Sequence, residues 1–169
     1  ACRRAAAFPA GIRIQRQYTM NVKPMNETEK PSARVAVITR TKDRPLMLER
    51  CAQSVLNQTF QDWLHVIVND GGSPESVAMV LKPLEERYNG RLCVIHNAES
   101  VGMQNASNIG ITATASEFLT IHDDDDSWCP EFLEACVAFL DDVGADNQPQ
   151  GVITHTSWII EKLMPDRQL

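Results

Sequence analysis

Short apolar runs rich in β-branched residues recur along this chain, and helix-like segments separate them. Continuous apolar runs of this length are typical of strands that are buried on both faces of a sheet. Their alternation with helices predicts an α/β fold, a mostly parallel sheet with helices on both faces. The chain has 169 residues, which is enough for one such domain with a real core. The predicted strands are residues 35–39, 64–68, 92–96, 118–122 and 151–160.

Proline and glycine give the predicted helices their boundaries. Ser73 and Pro74 suit the N-cap and first position of a helix, because Ser accepts a backbone N–H and Pro lacks one. Pro83 lies inside the same pattern and should kink that helix or end it early. Gly110 is a weak point in another predicted helix. Further helices are predicted over residues 103–115 and 131–140.

Residues 1–33 differ in composition from the rest of the chain. Alanine and arginine dominate their first part, and proline, asparagine, glutamate and lysine follow. We expect a flexible N-terminal leader over residues 1–33 and a folded domain over residues 34–169.

Charge and cysteine content exclude several classes of protein. The net charge of −6 argues against a nucleic-acid-binding surface, which needs a basic stripe. No apolar stretch approaches the length of a transmembrane segment. The five cysteines are odd in number and form no Cys-x-x-Cys pair, which favours reduced thiols in a cytosolic protein. We expect a cytoplasmic location, with any contact to the inner face of a membrane made through other chains.

Four consecutive aspartates, Asp123 to Asp126, directly follow the fourth apolar run. Each adjacent pair of like charges destabilises the fold by about 4 kcal/mol at a separation of about 4 Å and an effective dielectric of about 20. A hard cation such as Mg²⁺ or Mn²⁺, with phosphate oxygens completing its shell, would relieve this repulsion. The alternative is a solvated acidic turn that caps the next helix. His122, which borders the cluster, is more simply interpreted as a packed residue than as a metal ligand.

Polar side chains follow the predicted strands at the edge where their carboxyl ends meet. Thr41 and Arg44 follow the first strand and Asp70 follows the second, while the aspartate cluster follows the fourth. Ligands of parallel α/β sheets bind at this edge, so the pattern indicates a nucleotide or another phosphorylated ligand. Arg44 is suited to bidentate contact with phosphate.

Two of these polar segments have both a ligand-binding and a structural interpretation. Asp70, before Gly71 and Gly72, can accept from a base or a ribose hydroxyl, or can belong to an ordinary strand-to-helix turn. Asn105 and Asn108 share a helix face near a start that can hold phosphate, or can simply bond to neighbouring loops.

Five segments, in this order, resemble the nucleotide-sugar-binding half of a family 2 glycosyltransferase with the Rossmann-like GT-A fold. The resemblance runs from about Arg34 to Leu140, most of the predicted domain. The last segment corresponds to the family's Asp-x-Asp region in the form Asp-x-Asp-Asp-x-Trp-x-Pro. The segments are VAVITRTKDRP from Val35, CAQSVLNQTF from Cys51, VIVNDGGS from Val66, residues 97–110, and DDDDSWCP from Asp123.

The resemblance implies a role for each matched position. Thr41 and Asp70 would contact the base, and Asp123 the ribose or sugar. Asp124 would point back into the domain beside the donor, and Asp125 would hold the divalent metal, Mg²⁺ or Mn²⁺, on the diphosphate. The implied reaction is metal-dependent transfer of a sugar, with inversion, from a nucleoside-diphosphate donor to a hydroxyl of a carbohydrate or lipid-linked acceptor in polysaccharide biosynthesis. Uridine diphosphate is the family's commonest carrier.

Three positions depart from the family pattern. Arg40 stands where proline is common, Lys42 where an aromatic residue is common, and Ser107 where arginine is frequent.

The family's catalytic base lies in an acceptor half that follows the Asp-x-Asp region. The late carboxylates Glu161 and Asp166 match no such motif, so no base is assigned. We therefore expect an apparently truncated GT-A domain, whose exposed apolar surface after residue 150 favours self-association. The alternative is a non-catalytic nucleotide-sugar-binding module that needs a partner or the missing half.

Overall fold

The computed structural model describes residues 15–17, 30–142 and 151–157. The chain divides into two compact units, residues 1–134 and 135–169. A 3₁₀ turn, Lys82–Leu84, joins two of the helices. The strands and helices are β1 Gln15–Gln17, β2 Val35–Thr41, α1 Pro45–Leu56, β3 Trp63–Asp70, α2 Pro74–Leu81, α3 Glu85–Tyr88, β4 Leu92–Asn97, α4 Met103–Thr112, β5 Phe118–Ile121 and α5 Phe132–Asp142.

The five strands form one parallel sheet in the order β1-β4-β3-β2-β5. The chain moves outward from β2 through β3 to β4 and then returns to place β5 on the other side of β2. The strand order therefore reverses between β2 and β5, which is where such sheets bind ligands. The predicted parallel sheet is confirmed. Gln15–Gln17, part of the segment expected to be a leader, pairs with β4, and most of that segment lies outside the described residues.

Helix α4 packs on one face of the sheet. Alternate residues of β2, Ala36 and Ile38, are fully buried there with Ala106 of α4. A Cβ added to Gly110 would lie 2.5 Å from Ile38 Cγ2, closer than packed atoms approach. Gly110, a weak point by helix propensity, thus allows the close approach of α4 to the sheet.

Helix α1 and Tyr88 at the end of α3 lie on the opposite face, which confirms the prediction of helices on both sides. A buried chain of polar groups crosses this face. His65 Nδ1 lies 2.9 Å from the Tyr88 hydroxyl, and its Nε2 lies 2.9 Å from Thr39 Oγ1. Thr39 Oγ1 in turn lies 3.5 Å from Cys51 Sγ. Burial, with a contribution from His122, lowers the pKa of His65 to about 3, so the ring is neutral in the fold.

The helix boundaries follow their local chemistry. Ser73 accepts a hydrogen bond from the Ser76 N–H at 3.1 Å, and Pro74 occupies the first position of α2. Pro83 lies in the 3₁₀ turn that separates α2 from α3, so the predicted early end is confirmed. No helix among the described residues is long and apolar enough to cross a bilayer.

The predicted strand over residues 151–160 is wrong for residues 151–157, which have no regular secondary structure. Ile153 is fully exposed. An apolar run specifies a preference for burial, but a strand also needs a neighbour to pair with. Residues 158–160 lie outside the described residues.

Candidate functional site

A cleft of about 420 Å³ opens at the carboxyl ends of the strands, where the strand order reverses. The structure brings six of the eight predicted site residues to its walls. Unpredicted residues, among them Arg40, Ser100 and Met103, complete the lining. The six predicted residues are Thr41, Arg44, Asp70, Asp123, Asp124 and Asp125.

Asp70 holds the loop that connects β4 to α4. Its Oδ1 accepts from Asn97 Nδ2 at 2.9 Å and from the Val101 N–H at 2.9 Å. Its Oδ2 accepts from the Ser100 hydroxyl at 2.8 Å and from the Gly102 N–H at 3.1 Å. Burial raises the pKa of Asp70, but the hydrogen bonds, led by that of Val101, outweigh it and keep the pKa below its ordinary value. Both oxygens thus shape the cleft wall, while a contact of Asp70 with a base stays a prediction.

Asp124 points into the domain, where its side chain is fully buried. The Thr41 hydroxyl donates a hydrogen bond to it. The Arg44 guanidinium donates to both of its oxygens, Nη2 to Oδ1 and Nε to Oδ2 at 3.1 Å. Burial raises the pKa of Asp124, and the contacts from Thr41 and Arg44 oppose that rise. Arg44, predicted as a phosphate ligand, is thus anchored to Asp124 at the cleft wall.

Asp123 and Asp125 are partly exposed and also paired with arginines. Asp125 Oδ2 accepts from Arg44 Nη1 at 3.2 Å, and its carbonyl accepts from Arg50 Nη2 at 2.5 Å. Asp123 Oδ1 lies 2.6 Å from Arg40 Nη2. The arginines therefore offset part of the repulsion between the aspartates, which the sequence analysis expected a metal ion to relieve.

Repulsion from the neighbouring aspartates still affects the pKa of Asp126. Burial is the largest cause of its raised pKa, followed by the charges of Asp123 and Asp125.

The acidic side chains fit a metal that arrives with phosphate. Within residues 15–17, 30–142 and 151–157, no group of three or more His, Cys, Asp or Glu side chains is arranged to hold a metal ion. Asp124 is occupied by Arg44, which leaves the partly exposed Asp125 and Asp123 on the cleft wall. Mg²⁺ and its analogues commonly bind through one or two carboxylates plus substrate phosphates, and this pair suits that mode.

His122 is a packed residue, as expected. It is buried, its Nδ1 lies 3.3 Å from Cys51 Sγ, and its ring stacks on Trp128 at 3.9 Å between centroids. Burial lowers its pKa to about 4, against a smaller opposing effect of a hydrogen bond to the Asp126 backbone. Burial also raises the pKa of Cys51 to about 12. The neutral Cys51 and His122 side chains thus pack together in the core directly before Asp123.

Asn105 and Asn108 lie on the exposed face of α4, away from the described lining of the cleft. The Asn105 side chain donates to the Val101 carbonyl at 2.9 Å. Ala106 and Ser107 face inward instead. Spacing placed the two asparagines on one face, but the rotation of the helix depends on packing, so this arrangement lends their predicted role no support.

Arg40 lines the cleft, although the sequence analysis assigned it no role in the site. It follows Ala36 and Ile38 on the β2 face that packs against α4, and its Nη1 donates to Ser107 Oγ at 3.1 Å. A cation on the otherwise apolar face of β2 that carries Ala36 and Ile38 was the available signal.

Comparison with known proteins identifies the family of this chain. The model of Glycosyl transferase family 2 matches residues 36–156. A relative from Campylobacter jejuni, GalNAc(5)-diNAcBac-PP-undecaprenol beta-1,3-glucosyltransferase, is 30% identical over 93 residues, which cover 55% of this chain and 30% of the relative.

Two solved structures are similar in fold. Residues 1–349 of TarS from S. aureus in complex with UDP give a TM-score of 0.58 at 22% identity, over 64% of this chain and 32% of that one. The Pyrobaculum calidifontis mannosyltransferase PcManGT in complex with GDP-Man and Mn²⁺ gives 0.60 at 22% identity, over 73% of this chain and 36% of that one. The chain spans about a third of the length of the relatives it matches.

The family model covers more than half of the chain, and the two solved structures are similar to it in fold. The resemblance read from the five sequence segments is therefore confirmed. This chain belongs to glycosyl transferase family 2 and has the GT-A fold of that family's N-terminal half.

Proposed function

We propose that this chain binds a nucleoside-diphosphate sugar, UDP-linked, as the donor part of an inverting, metal-dependent glycosyltransferase. The observation that carries the proposal is the cleft at the switch between β2 and β5. There Arg40, Lys42 and Arg44 line the same space as the aspartates of the Asp-x-Asp region. Guanidinium groups beside carboxylates suit a diphosphate that arrives with a divalent cation.

The nucleoside lies, in this proposal, between the ends of β2 and β3. Thr41 and Asp70 line the cleft there, and the loop that Asp70 holds forms one wall. Asp123, 42% exposed at its side chain, faces the ribose or sugar. The ligands in the two fold neighbours, UDP and GDP-Man, support a nucleoside diphosphate as the ligand class.

Asp125 would hold Mg²⁺ or Mn²⁺ on the diphosphate, with Asp123 alongside. When bound, such a cation would offset the negative charge that develops on the departing diphosphate. Arg44 keeps Asp124 buried and orients Asp125 through its other amino group. The Mn²⁺ in the mannosyltransferase complex supports this role.

The proposed acceptor is a hydroxyl of a carbohydrate or of a lipid-linked glycan. Glu161 and Asp166 lie outside the described residues, and no base is assigned. The Campylobacter relative's name gives an undecaprenol-linked glycan, which supports a carbohydrate or lipid-linked acceptor. The second candidate function is a non-catalytic donor-binding module, because the described cleft supplies donor-binding side chains and no assigned base.

Calorimetric titration of UDP and of GDP, each with Mn²⁺ and then with EDTA, tests donor binding. We expect UDP to bind in the presence of Mn²⁺ and to lose affinity in EDTA. Asp125→Ala should remove the metal dependence, whereas Glu131→Ala, an exposed carboxylate outside the cleft lining, should leave it unchanged. Metal-dependent binding that persists in Asp125→Ala would contradict the role of Asp125.

Sugar transfer by the chain alone separates the two candidate functions. Release of UDP from UDP-glucose in the presence of a polyprenyl-linked acceptor supports the enzyme. Donor binding without any transfer supports the binding module.

A further inference from the structure

The cation of Arg40 is placed by the packing of α4 on β2. Ile38 and Arg40 lie two residues apart on β2 and therefore point to the same face of the sheet. Ile38 contacts α4 at Gly110, and Arg40 contacts it at Ser107, one turn nearer the helix N-terminus. The guanidinium thus leaves the apolar core at the point where the cleft begins.

Two contacts hold the guanidinium in this position. Nη1 donates to Ser107 Oγ at 3.1 Å, and Nη2 lies 2.6 Å from Asp123 Oδ1. The Arg40 side chain is only 17% exposed, so its orientation is fixed before any ligand arrives. A guanidinium has five N–H donors, so it can keep the Ser107 hydrogen bond while it binds an oxyanion.

The other cations of the cleft are less suited to receive phosphate. Arg44 donates hydrogen bonds to the buried Asp124 and to Asp125. Lys42 is exposed and carries a flexible point charge. Arg40 contacts one carboxylate, that of the partly exposed Asp123, whereas Arg44 contacts two.

We propose that Arg40 binds the diphosphate of the donor, with Ser107 of α4 positioning its guanidinium. The inference rests on the proposed donor site and names a ligand for its phosphate groups. The small Ser107 is required in this arrangement, because a long side chain there would occupy the space that Arg40 fills.

The test compares the affinities for UDP and UMP, since their ratio isolates the second phosphate from the base and ribose. We expect Arg40→Gln to lower this ratio about tenfold, as loss of a charge-assisted bidentate contact should. Lys42→Gln removes an equal charge from the same cleft and should lower the ratio less. Arg40→Lys, which keeps the charge without the fork, should fall between wild type and Arg40→Gln.

The double variant Arg40→Gln/Ser107→Arg returns a guanidinium to the cleft from α4. It should recover most of the lost UDP to UMP ratio, which a merely structural role of Arg40 would not predict. Circular dichroism establishes whether each variant is folded. If Arg40→Gln does not fold, the UDP to UMP ratio of Arg40→Lys is used instead.

An unchanged ratio in folded Arg40→Gln, or in Arg40→Lys if only that variant folds, overturns this inference and leaves the donor site standing. A wild-type chain that binds none of UDP, UMP, GDP and GMP overturns the donor site and this inference with it. If only the guanine nucleotides bind, the same ratio is measured with GDP and GMP.

Discussion

Lowering the pH from about 7.5 to about 5 should destabilise the fold through the two buried histidines, His65 and His122. Both are neutral in the folded state, with pKa values lowered from 6.5 to about 3 and about 4. Unfolding exposes both rings to water, where they bind protons near pH 6.5. Stability from a lowered histidine pKa is fully present above the unfolded value and is lost as the pH falls toward the folded value.

The size of this loss follows from proton linkage. At about pH 5 each unfolded histidine is almost fully protonated and each folded one almost fully neutral, so each contributes a loss of about 2 kcal/mol relative to pH 7.5. The value depends little on the folded pKa, because both folded values lie well below 5.

Other groups add to the pH dependence with either sign. His96 also has a pKa lowered by burial and acts in the same direction. Asp124 and Asp126 have raised pKa values, so their protonation in the fold increases stability as the pH falls. Only a difference between variants isolates one histidine.

Urea unfolding, followed by the fluorescence of the buried Trp63, gives the free energy of unfolding at both pH values. Between them the wild type should lose about 2 kcal/mol more than His122→Gln, and about 2 kcal/mol more than His65→Gln. His155→Gln, at an exposed position, is the control. If the wild type and both buried-site variants lose equal stability, the histidines are not neutral in the fold and the reasoning fails.

Three further substitutions test the packing and the cleft wall. Gly110→Ala gains about 1 kcal/mol in helix propensity but places a Cβ 2.5 Å from Ile38, so we expect a net destabilisation of about 1 kcal/mol in urea unfolding, and a gain would contradict the close contact. Asp70→Asn places an amide NH₂ group opposite the backbone N–H donors of Val101 and Gly102, so it should lower the free energy of unfolding by about 1–3 kcal/mol. The same variant should bind UDP more weakly in calorimetry. Ser73→Ala should cost about 1 kcal/mol through loss of the α2 cap, and an unchanged unfolding midpoint would refute the capping role.

The local elements were predictable because their signals are local. The apolar run of β2 predicts a strand buried on both faces, and Ser73 and Pro83 specify a cap and a break that the chain obeys. The region of the cleft was also predictable, since the carboxyl ends of parallel strands meet at one edge.

The side-chain pairings within the cleft were not predictable from the sequence. Arg40 and Arg44 reach aspartates about eighty positions away, and only the packed sheet brings them together. The inward turn of Ser107, rather than Asn105, depends on how α4 rests against Ile38, which helical spacing does not specify. The failed strand over residues 151–157 has the same cause, because pairing needs a neighbour that a sequence run does not name.

Among the described residues, the cleft lining runs from Arg40 to Asp125. The described walls of the proposed donor site thus lie in one continuous segment, from β2 to the aspartates that follow β5. Such a segment can be exchanged between family members as one contiguous piece. A chimera that carries residues 34–134 of this chain in a longer relative should inherit its nucleotide preference and leave the choice of acceptor to the host sequence.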